Sequence, residues 1–310
     1  MKRFSDLLWL WTLLIVPFGL KFPSLFLPFK PVIKPLLGSV ILAMGLTLKL
    51  EDFKAVILKP STVIVGILTQ YSVMPFLGFV TGYLLYGQEF KEFLAGQVLT
   101  GSCPTGVVSN VYNFLAGTNV ALSLSLSGVN TFISPVLTPV LTKVFTYKVV
   151  TVDAGKLFLD MVQVTLLPVA AGIAVNSLFP ERVERLKGWL PAYSTAAVVL
   201  IVGFVVAAGH GKIASLPGKA FFLLILASLI HLLLGFWFGY VIPRILGVPQ
   251  KERITISIET AMQNSGLATV LAISQWGPLA ALPAVTYSVV QNLVGPFVVK
   301  LFRWLMASKA

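Results

Sequence analysis

Apolar runs of about twenty residues follow one another from one end of this chain to the other, with only short connections between them. Wound as a helix, a run of that length matches the hydrocarbon thickness of a bilayer. Hydrocarbon admits only structures that satisfy their own backbone hydrogen bonds. The expected fold class is therefore an all-α membrane protein. Of the 310 residues, 57% are hydrophobic and only 11% charged, and the mean hydropathy is +0.91. That charge is too sparse to cover a water-soluble surface, and no polar stretch is long enough for a soluble catalytic domain. The net charge of +12 does not point to nucleic acid, because Lys and Arg gather in the short connections as they do in cytoplasmic loops. Cys103 is the only cysteine, which excludes a disulfide and a thiolate metal cluster. Met1-Lys2-Arg3 and the run after it imitate a signal peptide. The bulky Leu-Trp stretch offers no small-residue cleavage site, so it reads as a retained first helix.

Ten spanning segments are expected, near 5–20, 33–50, 61–86, 93–116, 119–147, 157–179, 189–208, 218–243, 253–275 and 278–306. Ten spans put both termini on one side. Taking that side as cytoplasmic leaves about 14 Lys and Arg on inner loops and about 9 on outer ones, which predicts an inner-membrane protein with both termini in the cytoplasm. Segments three and eight, four and nine, and five and ten are each offset by about 155–160 residues. Two halves, near 1–150 and 151–310, each with an odd number of spans, must then lie oppositely in the bilayer as an inverted repeat.

The corresponding segments four and nine are also the irregular ones. Segment four reads Gly101-Ser102-Cys103-Pro104-Thr105-Gly106, then Val107-Val108-Ser109-Asn110. A proline between two glycines cannot continue a regular helix, and in lipid the freed backbone groups must face protein or a polar cavity. Segment nine reads Glu259-Thr260-Ala261-Met262-Gln263-Asn264-Ser265-Gly266. Glu259 is the only acid placed deep in a span; the other ten fall in loops or near segment ends. An unpartnered carboxylate there costs several kcal/mol, so Glu259 is a functional candidate that can hold a proton or a metal cation. Ser109 and Asn110 of segment four, Ser123 and Ser127 one turn apart on segment five, Gln70 of segment three and Gln263 surround it with oxygen donors. Such a set suits a hard cation of modest charge. No buried His or second carboxylate is placed beside it for a proton relay. These residues favour sodium over a proton.

The runs Gly101 to Asn110, Gly117-Thr-Asn-Val-Ala-Leu-Ser123, Glu259-Thr-Ala-Met-Gln-Asn-Ser-Gly-Leu-Ala268 and Leu279-Ala-Ala-Leu-Pro-Ala-Val-Thr-Tyr-Ser288 resemble the bile acid:sodium symporter family. So does Ala43-Met44-Gly45-Leu46-Thr47-Leu48, and the likeness covers nearly the whole chain. The resemblance implies ten transmembrane helices in two inverted five-helix repeats. A core domain (about 61–147 and 218–306) would work against a panel (about 5–50 and 157–208), with discontinuous helices 4 and 9 crossing at the centre. Matched residue by residue, it implies a first sodium site of Ser109, Asn110, Ser123, Ser127 and Glu259. A second would use Gln70, Glu259, Gln263 and the Thr260 and Met262 carbonyls, making two sodium ions. Substrate would approach Thr105, Gly106, Val107, Asn264 and Asn292. The chain departs from many bacterial relatives at Val107, where they carry threonine. It departs again at Gln291-Asn292, where they carry His-Asn, and at His231-Leu232-Leu233, where they carry His-Asn-Gly. The sodium ligands are unaffected by these departures, which bear on substrate identity.

The resulting expectation is a sodium-coupled symporter of a small or amphipathic organic anion, bile-acid-like or pantoate-like, working by alternating access. Its partners would be that anion and the lipid bilayer, without nucleic acid or an obligatory protein partner. Two alternatives stay open: a metalloid exporter of related architecture using Cys103, and a proton-coupled organic acid carrier. An enzyme is not expected, because the chain has no aspartate pair and no His-Glu-x-x-His run. His231 is expected to make a structural hydrogen bond.

Overall fold

The computed structural model describes residues 7–307. Every named element in it is helical, and the lone β-bridge pairs Thr105 with Gln263. In chain order the principal helices are α1 (Leu8–Lys21), α2 (Ile33–Thr47), α3 (Pro60–Tyr86), α4 (Lys91–Ser102), α5 (Val108–Ala116) and α6 (Val120–Thr146). They continue as α7 (Ala154–Leu178), α8 (Leu190–Ala208), α9 (Gly218–Ile245), α10 (Gln250–Ala261), α11 (Ser265–Trp276) and α12 (Pro278–Ala307). Lys2 and Arg3, which enter the charge count, lie outside the described residues, as does Lys309.

Among the described residues, seven helices are long and apolar enough to cross a membrane, where the sequence suggests ten segments. The other three segments are α1, of 14 residues, and two that are each divided into short halves: α4 with α5, and α10 with α11. Between α1 and α2 the chain forms two 3-10 turns, because prolines at 23, 28 and 31 cannot donate to an α-helical ladder. Inside α7, residues Val162–Leu166 widen into a π-turn just ahead of Pro168. Pro168 has no N–H for the carbonyl of Val164, so the ladder must re-register there.

Polarity is distributed as lipid requires. Leu84, Phe114 and Phe297 are each at least 70% exposed, while Ser123, Ser127, Thr138, Thr142 and Gln263 are fully buried. A soluble protein shows the reverse. This is a multi-pass membrane protein.

The helices pack in two groups. In one, α1 and α2 lie against α8, and α2 lies against α7. Small residues set the spacing there: a Cβ on Gly45 would stand 2.5 Å from the Val169 carbonyl oxygen, and one on Gly172 2.5 Å from that of Leu42. In the other group, α3 packs on α4 and α9, and α12 on α4, α9 and α11. His231 ties this group together: Nε2 lies 2.9 Å from the Met74 carbonyl and Nδ1 3.0 Å from Gln97 Nε2. The carbonyl can only accept, so Nε2 carries the hydrogen and the ring is neutral with Nδ1 as acceptor.

Glu259 is not alone among the acids in being buried. Asp160 and Glu252 are buried as well as Glu259. Each of these two has an ammonium at 2.6 Å, Lys34 for Asp160 and Lys59 for Glu252. Both stand near helix ends, where a flexible lysine can reach in from the surface, a compensation that the linear pattern does not show.

Candidate functional site at the crossing of two broken helices

The two interrupted helices meet at their breaks. Pro104 cannot donate, so α4 stops at Ser102 and the chain runs extended to Val107 before α5 begins. No proline interrupts α10. It stops at Ala261, and α11 restarts behind Asn264, whose side-chain oxygen accepts from Leu267 N–H at 3.1 Å. The extended pieces satisfy each other. Gly106 N–H donates to the Met262 carbonyl at 2.8 Å, and Asn264 N–H to the Pro104 carbonyl at 2.9 Å. The bridged residues at their centre, Thr105 and Gln263, stand 158 positions apart, inside the offset of about 155–160 that relates the segments. A Cβ on Gly106 would lie 2.8 Å from the Gln263 carbonyl oxygen, so the strands meet closely only because this residue is glycine.

Beside the crossing, Glu259 is 2% exposed and its recorded hydrogen-bond partners include no ammonium or guanidinium. Its Oε1 accepts from Ser123 Oγ at 2.6 Å and Asn113 Nδ2 at 3.0 Å, and its Oε2 from Ser127 Oγ at 2.8 Å. Both hydroxyls also lie near Asn110 Oδ1, at 2.7 and 3.2 Å. A hydroxyl has one hydrogen, so two protons face four acceptor contacts. Ser109 Oγ is also buried and lies within reach of the carboxylate. The cluster has more oxygen lone pairs than hydrogens to fill them, as a cation pocket must. The carboxyl can resolve the excess by taking a proton, and the cluster can resolve it by taking a metal ion.

All five residues expected at the first sodium site therefore converge. The structure adds Asn113, whose amide holds Ser123 Oγ at 2.9 Å as well as the carboxylate. Sequence reasoning missed it, although it follows Ser109 by four residues and so shares its helix face.

The second expected set assembles only in part. Gln70 and Gln263 pair through their carboxamides, with N–O distances of 3.1 and 3.3 Å, and Gln263 Nε2 donates to the Thr260 carbonyl at 2.6 Å. The Met262 carbonyl already accepts from Gly106 N–H. The carboxylate of Glu259 bonds into the first set and to neither glutamine. Only its backbone carbonyl touches the crossing, accepting from Thr105 Oγ1 at 3.0 Å.

The residues expected to meet substrate divide. Val107, Asn264 and Asn292 are partly exposed, whereas Thr105 and Gly106 are buried. Besides bonding Glu259, Thr105 accepts from Asn130 Nδ2 at 3.2 Å, so it serves the crossing itself. Asn292 donates to the Ser288 carbonyl at 2.7 Å and folds back along α12. Cys103 is fully buried within an apolar cluster that includes Leu99 and Leu271.

Helices that cross through paired breaks, beside a buried carboxylate ringed by oxygens, define a membrane transporter. The family model described as the sodium bile acid symporter family matches residues 34–216. Over 286 residues the chain is 34% identical to YocS, a sodium-dependent transporter of Bacillus subtilis, covering 92% of this chain and 87% of that protein. It is 36% identical over 268 residues to the chloroplastic BASS1 of Arabidopsis thaliana, designated a probable sodium/metabolite cotransporter, covering 86% of this chain. The rice protein of the same name is 36% identical over 270 residues. The chain spans 65% of the length of each of these two plant relatives. This chain belongs to the sodium bile acid symporter family, a family of sodium-dependent transporters.

Proposed function

We propose that this protein is a sodium-coupled symporter of a small organic anion, made of ten spans in two inverted five-helix repeats and working by alternating access. The 158-residue separation of the bridged residues Thr105 and Gln263, which matches the offset between segments, supports the repeat. The packing into two helix groups supports a panel of α1, α2, α7 and α8 moving against a core formed by the rest. The observation that carries the sodium reading is the excess of oxygen acceptors around Glu259. The two hydroxyls have only to rotate to present lone pairs to an ion, while Asn113 keeps its grip on the carboxylate. The ion is transported along with the substrate. Gln70, Gln263 and the Thr260 and Met262 carbonyls, with Glu259 shared between the two sets, form a second, looser site.

The anion reading rests on the two helix starts at the crossing, where Val107 and Asn264 are partly exposed. Asn264, Val107 and Gly106 stand where α11 and α5 begin, and a helix start presents unpaired N–H groups and partial positive charge. Asn292 supplies a further amide. Sodium bound nearby adds positive charge, so ion and anion should reinforce each other reciprocally. In proteoliposomes, an inward sodium gradient should drive uptake of a small carboxylate, and sodium should tighten its binding by about tenfold. The neutral amide analogue should gain little, and a pH gradient in choline should drive no uptake. Equal sodium dependence for acid and amide would defeat the anion reading, and uptake driven by the pH gradient alone would defeat the sodium reading.

The serines of α6 give a sharper test. Ser123→Ala and Ser127→Ala should each raise the sodium concentration needed for half-maximal transport. Ser125 faces elsewhere, donating to the Asp52 carbonyl in the connection between α2 and α3. Ser125→Ala should lower thermal stability and leave the sodium requirement nearly unchanged. A common shift for all three would indicate a packing defect and not ligand loss.

A further inference from the structure

Neither the family resemblance nor the proposed ion sites assign a ligand role to Gln291, yet its carboxamide makes three hydrogen bonds at the second break. It is 4% exposed and stands on α12, which runs beside the crossing. Its Oε1 accepts from Gln263 N–H at 3.1 Å. Its Nε2 donates to the Gln263 carbonyl at 3.2 Å and to Ser265 Oγ at 3.2 Å. The pattern has a geometric cause. In the small ladder joining 104–106 to 262–264, the bonds are made by the residues on either side of Thr105 and Gln263. The N–H and carbonyl of Gln263 itself point out of the ladder on one edge, as they do at a non-hydrogen-bonded antiparallel pair. In hydrocarbon that edge must be covered. Gln291 covers it, accepting from the N–H and donating to the carbonyl, which also receives the Ser265 N–H at 2.9 Å.

We propose that Gln291 is the positioning residue for sodium at the second break. This rests on the ion sites proposed above. Gln263 contributes its carboxamide to that site, and the Thr260 and Met262 carbonyls sit within three residues of it. With the Gln263 peptide gripped at both polar atoms, these groups are held at one spacing. The grip extends through Ser265 to the start of α11, beside the partly exposed Asn264, so the same clamp joins the ion site to the proposed substrate surface. An imidazole, which many bacterial relatives carry here, would make a different set of bonds. A neutral ring has one donor and one acceptor on separate edges and cannot grasp the N–H and carbonyl of one residue while also reaching Ser265.

The test uses the full-length protein in detergent, with sodium as the only ligand and choline at matched ionic strength as control. Gln291→Met keeps the length and apolar stem and removes all three bonds. The sodium concentration giving half of the thermal stabilisation should rise about tenfold or more, with the melting temperature in choline changed far less. Ser265→Ala separates the clamp on the Gln263 peptide from the contact beside it. It removes only the bond from Gln291 Nε2 to the Ser265 hydroxyl and leaves both bonds to the Gln263 peptide, so it should shift the sodium midpoint far less. An unchanged sodium midpoint in Gln291→Met, or an equal shift in Ser265→Ala and Gln291→Met, would overturn the proposal. If Glu259→Ala keeps its sodium response, the ion sites themselves are wrong. If Glu259→Ala loses that response and Gln291→Met keeps a normal one, only the clamp is wrong.

Discussion

Glu259→Ala should abolish the sodium-dependent rise in melting temperature of the purified protein, and Glu259→Gln should do nearly the same. The carboxylate is the one formal charge in the pocket, and the hydroxyls and amides around it are neutral. At a sodium concentration about a hundred times the dissociation constant, a single site stabilises the folded state by about 2.7 kcal/mol. Losing the charge should remove that whole increment. The sign in choline should be the opposite. A buried carboxylate with no cation beside it is costly, so the variants should melt at or above the parent temperature when sodium is absent. A variant that melts lower in choline yet keeps a normal sodium increment would show that Glu259 is structural and that the ion lies elsewhere.

Gly106→Ala should stop transport almost completely while leaving a protein that still inserts. The added methyl would stand 2.8 Å from the Gln263 carbonyl oxygen, a backbone atom that cannot swing aside. The two extended pieces must separate, and the bonds from Gly106 to Met262 and from Asn264 to Pro104 lengthen together. Overpacking of this kind costs about 1–3 kcal/mol, and two weakened hydrogen bonds without water to replace them add to it. The larger loss is geometric, because the substrate-facing starts of α5 and α11 are positioned by this contact. Uptake assays paired with size-exclusion profiles would check it: a monodisperse variant with parent-like uptake would show that the crossing tolerates a wider spacing. Gly117→Ala is the matched control. That residue sits at φ 74° with nothing close to an added Cβ, so the change strains one turn and leaves the crossing alone.

Much of the helical layout was legible from residues alone. Uninterrupted apolar length signals a helix directly, so α3, α6, α8, α9 and α12 begin and end within a few residues of the expected segments. The break between α4 and α5 was legible because Pro104 forbids a regular ladder. The break between α10 and α11 has no proline and could be inferred only from its polar run and its correspondence with the first. Chemistry made across long sequence separations was not legible. Asn113 and Asn130 look like ordinary helical asparagines until Glu259 and Thr105 are brought to them. Gln291 is 28 residues from the peptide it grips, and only the tertiary arrangement relates the two. The π-turn in α7 had a visible cause in Pro168, but a proline specifies that the ladder must yield, not how.

The crossing also sets an order for making the protein. Gly106 finds the partner for its N–H at Met262, 156 residues further along the chain, and the Pro104 carbonyl waits for Asn264. At synthesis rates of about 5–20 residues per second, that interval is about 10–30 s. During it, the first half lies in or near the membrane with a break whose backbone groups have no permanent partner. Neither half can complete its own interrupted helix, so the first must be kept hydrated, or held by the insertion machinery, until the second arrives. Severing the chain between α6 and α7 and supplying both halves together should thus restore a protein that neither half forms alone.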